Sequence, residues 1–220
     1  MNVKKDERLL LSQESKNLAE LLSKLALAED YHEESGIEPT TDMKDIYVED
    51  LKAREYGFKV GSMNLSYRYL YSYTANLFIE FIRKYMLEFA NNTINTGIEY
   101  LLILLRDGKF LILEGDENKV QIPFPDGLAT VHTHPGICLF SEKDLETADY
   151  LFSRGYFIIG VMNNTCISII YRNGVYTLED KEMLIKFYKK LKKIKNLNEY
   201  IQLFKNFNTE NLKITILTFL

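Results

Sequence analysis

The hydrophobic period of this chain changes near Gly97, and that change limits the possible folds more than any other feature. Upstream, Tyr69, Leu70, Tyr73, Leu77, Phe78, Phe81, Ile82, Tyr85, Met86 and Phe89 recur at three-to-four spacing, which predicts a long helix over 65–90 with a wide buried face. Aromatic residues at this spacing signify core packing rather than a cofactor box. Asn91, Asn92, Asn95 and Gly97 are expected to end the helix. Downstream the apolar runs shorten to strand length. Residues 98–105 and 110–114 flank an Asp107-Gly108 turn, a hairpin signal. Gly115-Asp116 turns into 119–122, a loop covers 123–127, and 128–134 follows as a strand. A long helix leading into about four strands predicts an α/β domain with a mixed sheet flanked by helices.

The remaining elements are read the same way. Residues 142–154 form a helix closed by Gly155, and 156–162 and 166–171 are strands joined by Asn163-Asn164-Thr165. Arg172-Asn173-Gly174 is expected to turn into a further strand at 175–178. Helices follow at 179–193 and from 198 to about 207, and the β-branched tail 212–220 reads as an edge strand or an apolar cover. Toward the start, Leu10, Leu11, Leu18, Leu21, Leu22, Leu25 and Leu27 predict one amphipathic helix over 7–29. An acidic loop with Gly36 and Pro39 covers 30–41, and a short charged helix covers 43–57. The expected organisation is a helical N-terminal extension over 1–60, then an α/β domain with C-terminal helices over 61–220.

The 27 Lys and Arg against 31 Asp and Glu leave a net charge of −4, which makes no electrostatic case for nucleic acid as partner. The densest basic run, Lys186 to Lys195, is interleaved with Leu184, Phe187, Tyr188, Leu191 and Ile194 and reads as the solvated face of a packed helix. Two cysteines, Cys138 and Cys166, are too few for a disulfide framework. No apolar run approaches the ~20 residues of a membrane span, and the first residues lack the apolar core of a secretory signal. The chain is expected to be soluble and cytoplasmic, with no membrane partner.

His is scarce, three in the chain, and two of them are His132 and His134. On an extended strand these point to one face. Two imidazoles, a carboxylate and an open position make a catalytic zinc site. Asp144, in the first turn of the helix that follows, is the nearest well-placed carboxylate. Two plainer readings stand beside this one. The imidazoles can be a buried hydrogen-bonded pair, and Ser141 with Asp144 can be a capping box, although Ser141 can do both jobs. Pro135-Gly136 forces the chain out of the strand into a loop, where sites are commonly built. A hydrolytic site also needs a general base. Glu99, at the start of a strand, is the candidate, with Glu114 the second. Cys138 reads as a semi-buried free Cys or a fourth ligand, and His32 as an exposed loop residue beside Glu33 and Glu34.

Glu99, then His132-Thr133-His134-Pro135, then Ser141-x-x-Asp144 resembles the JAMM (MPN-type) zinc metalloproteases, over roughly 65–180. The resemblance implies a cytidine-deaminase-like MPN/JAMM mixed sheet flanked by helices. It implies that His132, His134 and Asp144 bind Zn2+, that Glu99 is the general base and that Ser141 stabilises the oxyanion. The implied reaction is hydrolysis of an isopeptide or peptide bond at the C-terminus of a ubiquitin-like protein, with that protein or its conjugates as substrate. Two rival functions share this motif region: a metal-free MPN-like scaffold that binds protein partners, and a RadC-like protein tied to DNA processing. The chain departs from the family pattern in two places. Pro135 to Phe140 supply one residue fewer than the seven expected between His134 and Ser141. Glu99 lies close before His132 and is followed by Tyr100 and Leu101 instead of small residues.

Overall fold

In the computed structural model, which describes residues 7–115, 125–194, 196–207 and 209–219, the first element is not helical. The run Glu7–Leu11 forms strand β1, and Ser12 caps helix α1 (Gln13–Ser35) through a reciprocal bond with Ser15. The leucines of 9–11 therefore belong to a strand, and the helix extends through the first part of the expected 30–41 loop to Gly36, whose φ of 69° closes it. His32 accordingly sits in the last turn of α1, not in a loop, with its Nδ1 buried and unpartnered. The expected charged helix at 43–57 is replaced by small strands, β2 (Thr40–Thr41) and β3 (Ile46–Val48), and a single 3-10 turn at Leu51–Arg54. With β4 (Lys59–Val60) and β5 (Leu65–Ser66) these make a four-stranded sheet in the order β4-β3-β2-β5.

Helix α2 (Tyr69–Thr96) follows the apolar spacing, and Asn91, Asn92 and Asn95 lie inside it rather than ending it. Termination falls to Gly97, at a φ of 77° that an L side chain avoids. Then come β6 (Tyr100–Leu105), β7 (Lys109–Glu114), β8 (Gly127–Thr133), α3 (Glu142–Phe152), β9 (Ile158–Met162), β10 (Cys166–Arg172), α4 (Leu178–Leu191), α5 (Leu197–Lys205) and β11 (Leu212–Thr218). The expected strand at 119–122 lies outside the described residues, as does Lys195. No strand forms at 175–178: Thr177 instead caps α4, with Asp180 returning the bond to its N–H. The tail forms β11, antiparallel to β10 at the sheet edge.

The main sheet has seven strands in the order β1-β7-β6-β8-β9-β10-β11. It is mixed, because β8 and β9 pair in parallel across the α3 crossover while its other neighbours are antiparallel. Alternation along the strands divides the core in two. Leu102 and Leu104 of β6 join Leu22, Leu25, Phe78 and Ile82 beneath α1 and α2, while Ile103 joins Leu145, Phe152, Leu184 and Phe204 beneath α3, α4 and α5. Residues 7–60 share this core: β1 extends the sheet, and Leu18, Ile46 and Val48 pack in the same cluster as α2.

Candidate metal centre

The site stands where β8 ends, between an antiparallel neighbour and a parallel one. His132 pairs with Leu101 of β6 and with Val161 of β9. The main-chain N–H of His134 continues the parallel ladder to Met162 O at 2.8 Å, so both imidazoles emerge on the α3 face. Thr133, between them, points to the opposite face. There its Oγ1 lies 2.6 Å from that of Thr93 in α2 and accepts the Tyr100 N–H at 2.8 Å. One residue thus ties α2, β6 and β8 together behind the histidines.

Three ligand atoms converge in front. His132 Nε2 lies 2.8 Å from His134 Nε2 and 3.2 Å from Asp144 Oδ1, and His134 Nε2 lies 3.4 Å from Asp144 Oδ2. Zinc bonds of about 2.0–2.1 Å in tetrahedral geometry put ligand atoms about 3.3–3.4 Å apart, which the two imidazole–carboxylate distances match, while the imidazole nitrogens sit closer, at hydrogen-bond distance. The chemistry of the donors suits a metal too. His134 Nδ1 lies 3.2 Å from the Ile137 carbonyl, which can only accept, so the proton sits on Nδ1 and a neutral ring turns a lone pair outward from Nε2. A proton on His132 Nε2 can satisfy one of the facing acceptors; a divalent cation satisfies all of them. Burial works against charge on both Asp144 and His134, and the pairing overrides it. Asp144 is held well below the usual carboxylate range by the two imidazoles, and His134 is raised, chiefly by Asp144 with a smaller push from Glu99.

The capping box is real as well. Ser141 Oγ accepts from the Asp144 N–H at 3.2 Å, and Asp144 Oδ2 accepts from the Ser141 N–H at 2.6 Å. The cap and the metal reading are compatible, because the bond to Ser141 orients the carboxylate toward the imidazoles. Ser141 Oγ uses a lone pair in the cap, which leaves its O–H free to donate.

Register separates the two candidate bases. Leu101 pairs with His132, so the next like-facing pair in the ladder sets Glu99 opposite His134, on the imidazole face. Glu114 pairs with Tyr100, whose ring lies 5.0 Å from that of Phe89 in α2, so Glu114 belongs to the other face.

The short loop from Pro135 to Phe140 is tied down along its length. Asn163 Nδ2 donates to Gly136 O at 2.6 Å, Tyr200 of α5 donates to Phe140 O, and Cys138 is bonded to Cys166. The disulfide overturns the reading of Cys138 as a free Cys or a fourth ligand, since its sulfur is already committed. Sequence reasoning missed Asn163 and Tyr200. Burial, with the Asp144 charge added, raises the pKa of Tyr200, which marks it as a neighbour of the site. Its only sequence signal was its pairing at i,i+4 with Phe204.

No described helix is long and apolar enough to cross a membrane. Comparison of the chain with protein-family models, curated proteins and solved structures yields no match.

Proposed function

We propose that this chain is a zinc-dependent metalloprotease of the JAMM (MPN-type) kind, cleaving an isopeptide or peptide bond at the C-terminus of a ubiquitin-like protein. The observation that carries the proposal is the convergence of His132 Nε2, His134 Nε2 and the Asp144 carboxylate on one point. His132, His134 and Asp144 would hold the metal, which when bound would supply an acidified water and polarise the scissile carbonyl. Glu99, exposed and on the same face, is placed to act as the general base, accepting a proton and passing it to the leaving amine. Ser141, with its lone pair engaged by the helix start, directs its O–H to the developing oxyanion. The MPN-like arrangement is part of the proposal: ligand strand, short loop, then a helix whose first turn returns the third ligand.

The purified chain is expected to carry one zinc and to cleave a ubiquitin-like fusion. Glu99→Gln is expected to keep the zinc and lose activity by about 10²-fold or more, the usual worth of a general base. Elemental analysis showing no zinc in the wild type would overturn the proposal, and full activity in Glu99→Gln would move the base elsewhere. The second reading, a metal-free MPN-like scaffold for protein partners, draws on the capping box, which gives Asp144 a use without metal. It predicts the zinc-free result.

A further inference from the structure

We propose that the Cys138–Cys166 disulfide is a redox-sensitive positioning element of the metal centre, holding the carbonyl that fixes the tautomer of His134. The inference rests on the metal reading above and adds a control to it. Cys138 lies in the loop that joins His134 to the helix carrying Asp144, and Cys166 opens β10 on the adjoining β9–β10 hairpin. The bridge therefore pins the ligand loop to the sheet between two of its ligands.

The connection to the metal runs through one peptide unit. The carbonyl that accepts from His134 Nδ1 belongs to Ile137, and its carbon is bonded to the nitrogen of Cys138. Held in place, that oxygen keeps the proton on Nδ1 and the lone pair on Nε2. Released, it lets the ring exchange tautomers or turn. The other ties on the loop act away from this carbonyl, Asn163 on Gly136 O and Tyr200 on Phe140 O, while Ile137 itself is exposed and offers no buried apolar anchor. The competing restraint is Asn163, whose Nδ2 holds Gly136 O while its Oδ1 accepts from the Cys166 N–H at 2.8 Å. Asn163 therefore holds the residue before Ile137, and the disulfide holds the residue after it.

Reduction is chemically accessible. Cys138 is 2% exposed, whereas Cys166 is partly exposed, so an incoming thiolate attacks the Cys166 sulfur. The S–S bond breaks, Cys138 leaves as a thiolate and takes a proton, and a mixed disulfide forms on Cys166. A second thiol of a dithiol reductant resolves it, so that two electrons and two protons reach the protein and the reductant leaves as its disulfide.

The test compares the oxidised full-length chain with the same chain reduced by a thiol-free phosphine. Zinc affinity is read by competition with a chromogenic chelator, and the His134 ring nitrogens by NMR of the metal-free protein. The oxidised form is expected to bind zinc about 10–100-fold more tightly, as loss of a partner behind a ligand usually costs, and to recover on reoxidation. Its His134 should show a single Nδ1–H tautomer that becomes a mixture on reduction. The Cys138→Ser, Cys166→Ser double variant should match the reduced protein whatever the redox state, and the wild-type comparison stands if that variant does not fold. Equal zinc affinity and an unchanged tautomer in the two redox forms would overturn the proposal and show that Asn163 suffices. If neither form binds zinc the metalloprotease reading fails, while the tautomer comparison still decides whether the bridge positions His134.

Discussion

On the proposed metalloprotease reading, replacing Asp144 with Ala is expected to remove zinc binding and hydrolytic activity together while lowering the melting temperature by only a few degrees. The two effects separate because the residue has two roles. As the acid of the capping box it accepts the Ser141 N–H, a contribution of about 1 kcal/mol, which for a chain of this size is about 2–4 °C. As the proposed third metal ligand it supplies the one carboxylate of the cluster, and two imidazoles alone would leave the site without its anionic partner. Asp144→Glu sharpens the comparison. Glu is a normal capping-box acid, so stability should return, but its extra methylene moves the carboxylate past the point where His132 and His134 converge, so zinc should stay weak. Metal analysis, a cleavage assay and a thermal melt on the same preparations decide it. Stoichiometric zinc in Asp144→Ala would exclude it from the ligand set.

The largest effect on stability should come from Arg172, far from the metal. Its guanidinium donates to Glu29 of α1, its Nε donates to Gly174 O at 3.2 Å, and it lies 4.5 Å over the Phe157 ring. Tyr71 of α2 donates to the same Glu29, so one buried ion pair joins α1, α2 and β10. Burial pushes the Glu29 carboxyl above its usual range, with Arg172 and Tyr71 pulling the other way. Arg172→Met removes the main counterweight and should cost about 3–5 kcal/mol at neutral pH, the usual penalty for stranding a buried charge. The pH dependence follows from the sign. With the variant's folded Glu29 pKa raised above the already raised wild-type one, the deficit is smallest in acid and grows as pH rises from the wild-type folded value toward the variant's. Chemical denaturation at several pH values measures it. A loss under about 1 kcal/mol, unchanged with pH, would contradict this account. Converting both members to apolar residues, Glu29→Leu with Arg172→Met, should restore much of the loss.

What could be read from the sequence follows from how local each signal was. The helix α2, the Asp107-Gly108 hairpin, β9, β10 and the edge strand β11 are specified by periodicity or turn residues within their own span. The start misled because Leu9, Leu10 and Leu11 run straight into Leu18, Leu22 and Leu25, so a strand and a helix merged into one apparent period. Ser12, the cap between them, was the local mark of the boundary. The region around 43–57 mixes apolar with charged residues, and its short strands exist because Ile46 and Val48 reach the core formed with α2, which no local pattern announces. The site divides along the same line. His132, His134 and Asp144 follow from strand alternation and a helix first turn. The choice between Glu99 and Glu114 needed the register of β6 against β7 and β8. The bridge between Cys138 and Cys166, 28 residues apart, needed the hairpin to fold back onto the ligand loop.

The order of the sheet also places the two ends of the fold. β1 and β11 are its opposite margins and β8 is the fourth of seven strands, so at about 4.8 Å per strand the ligand strand lies about 14 Å from either margin. Edge strands open first in local fluctuations, and here either can peel away while β6, β8 and β9 keep their mutual hydrogen bonds. The molecule can breathe at its margins without its centre losing alignment.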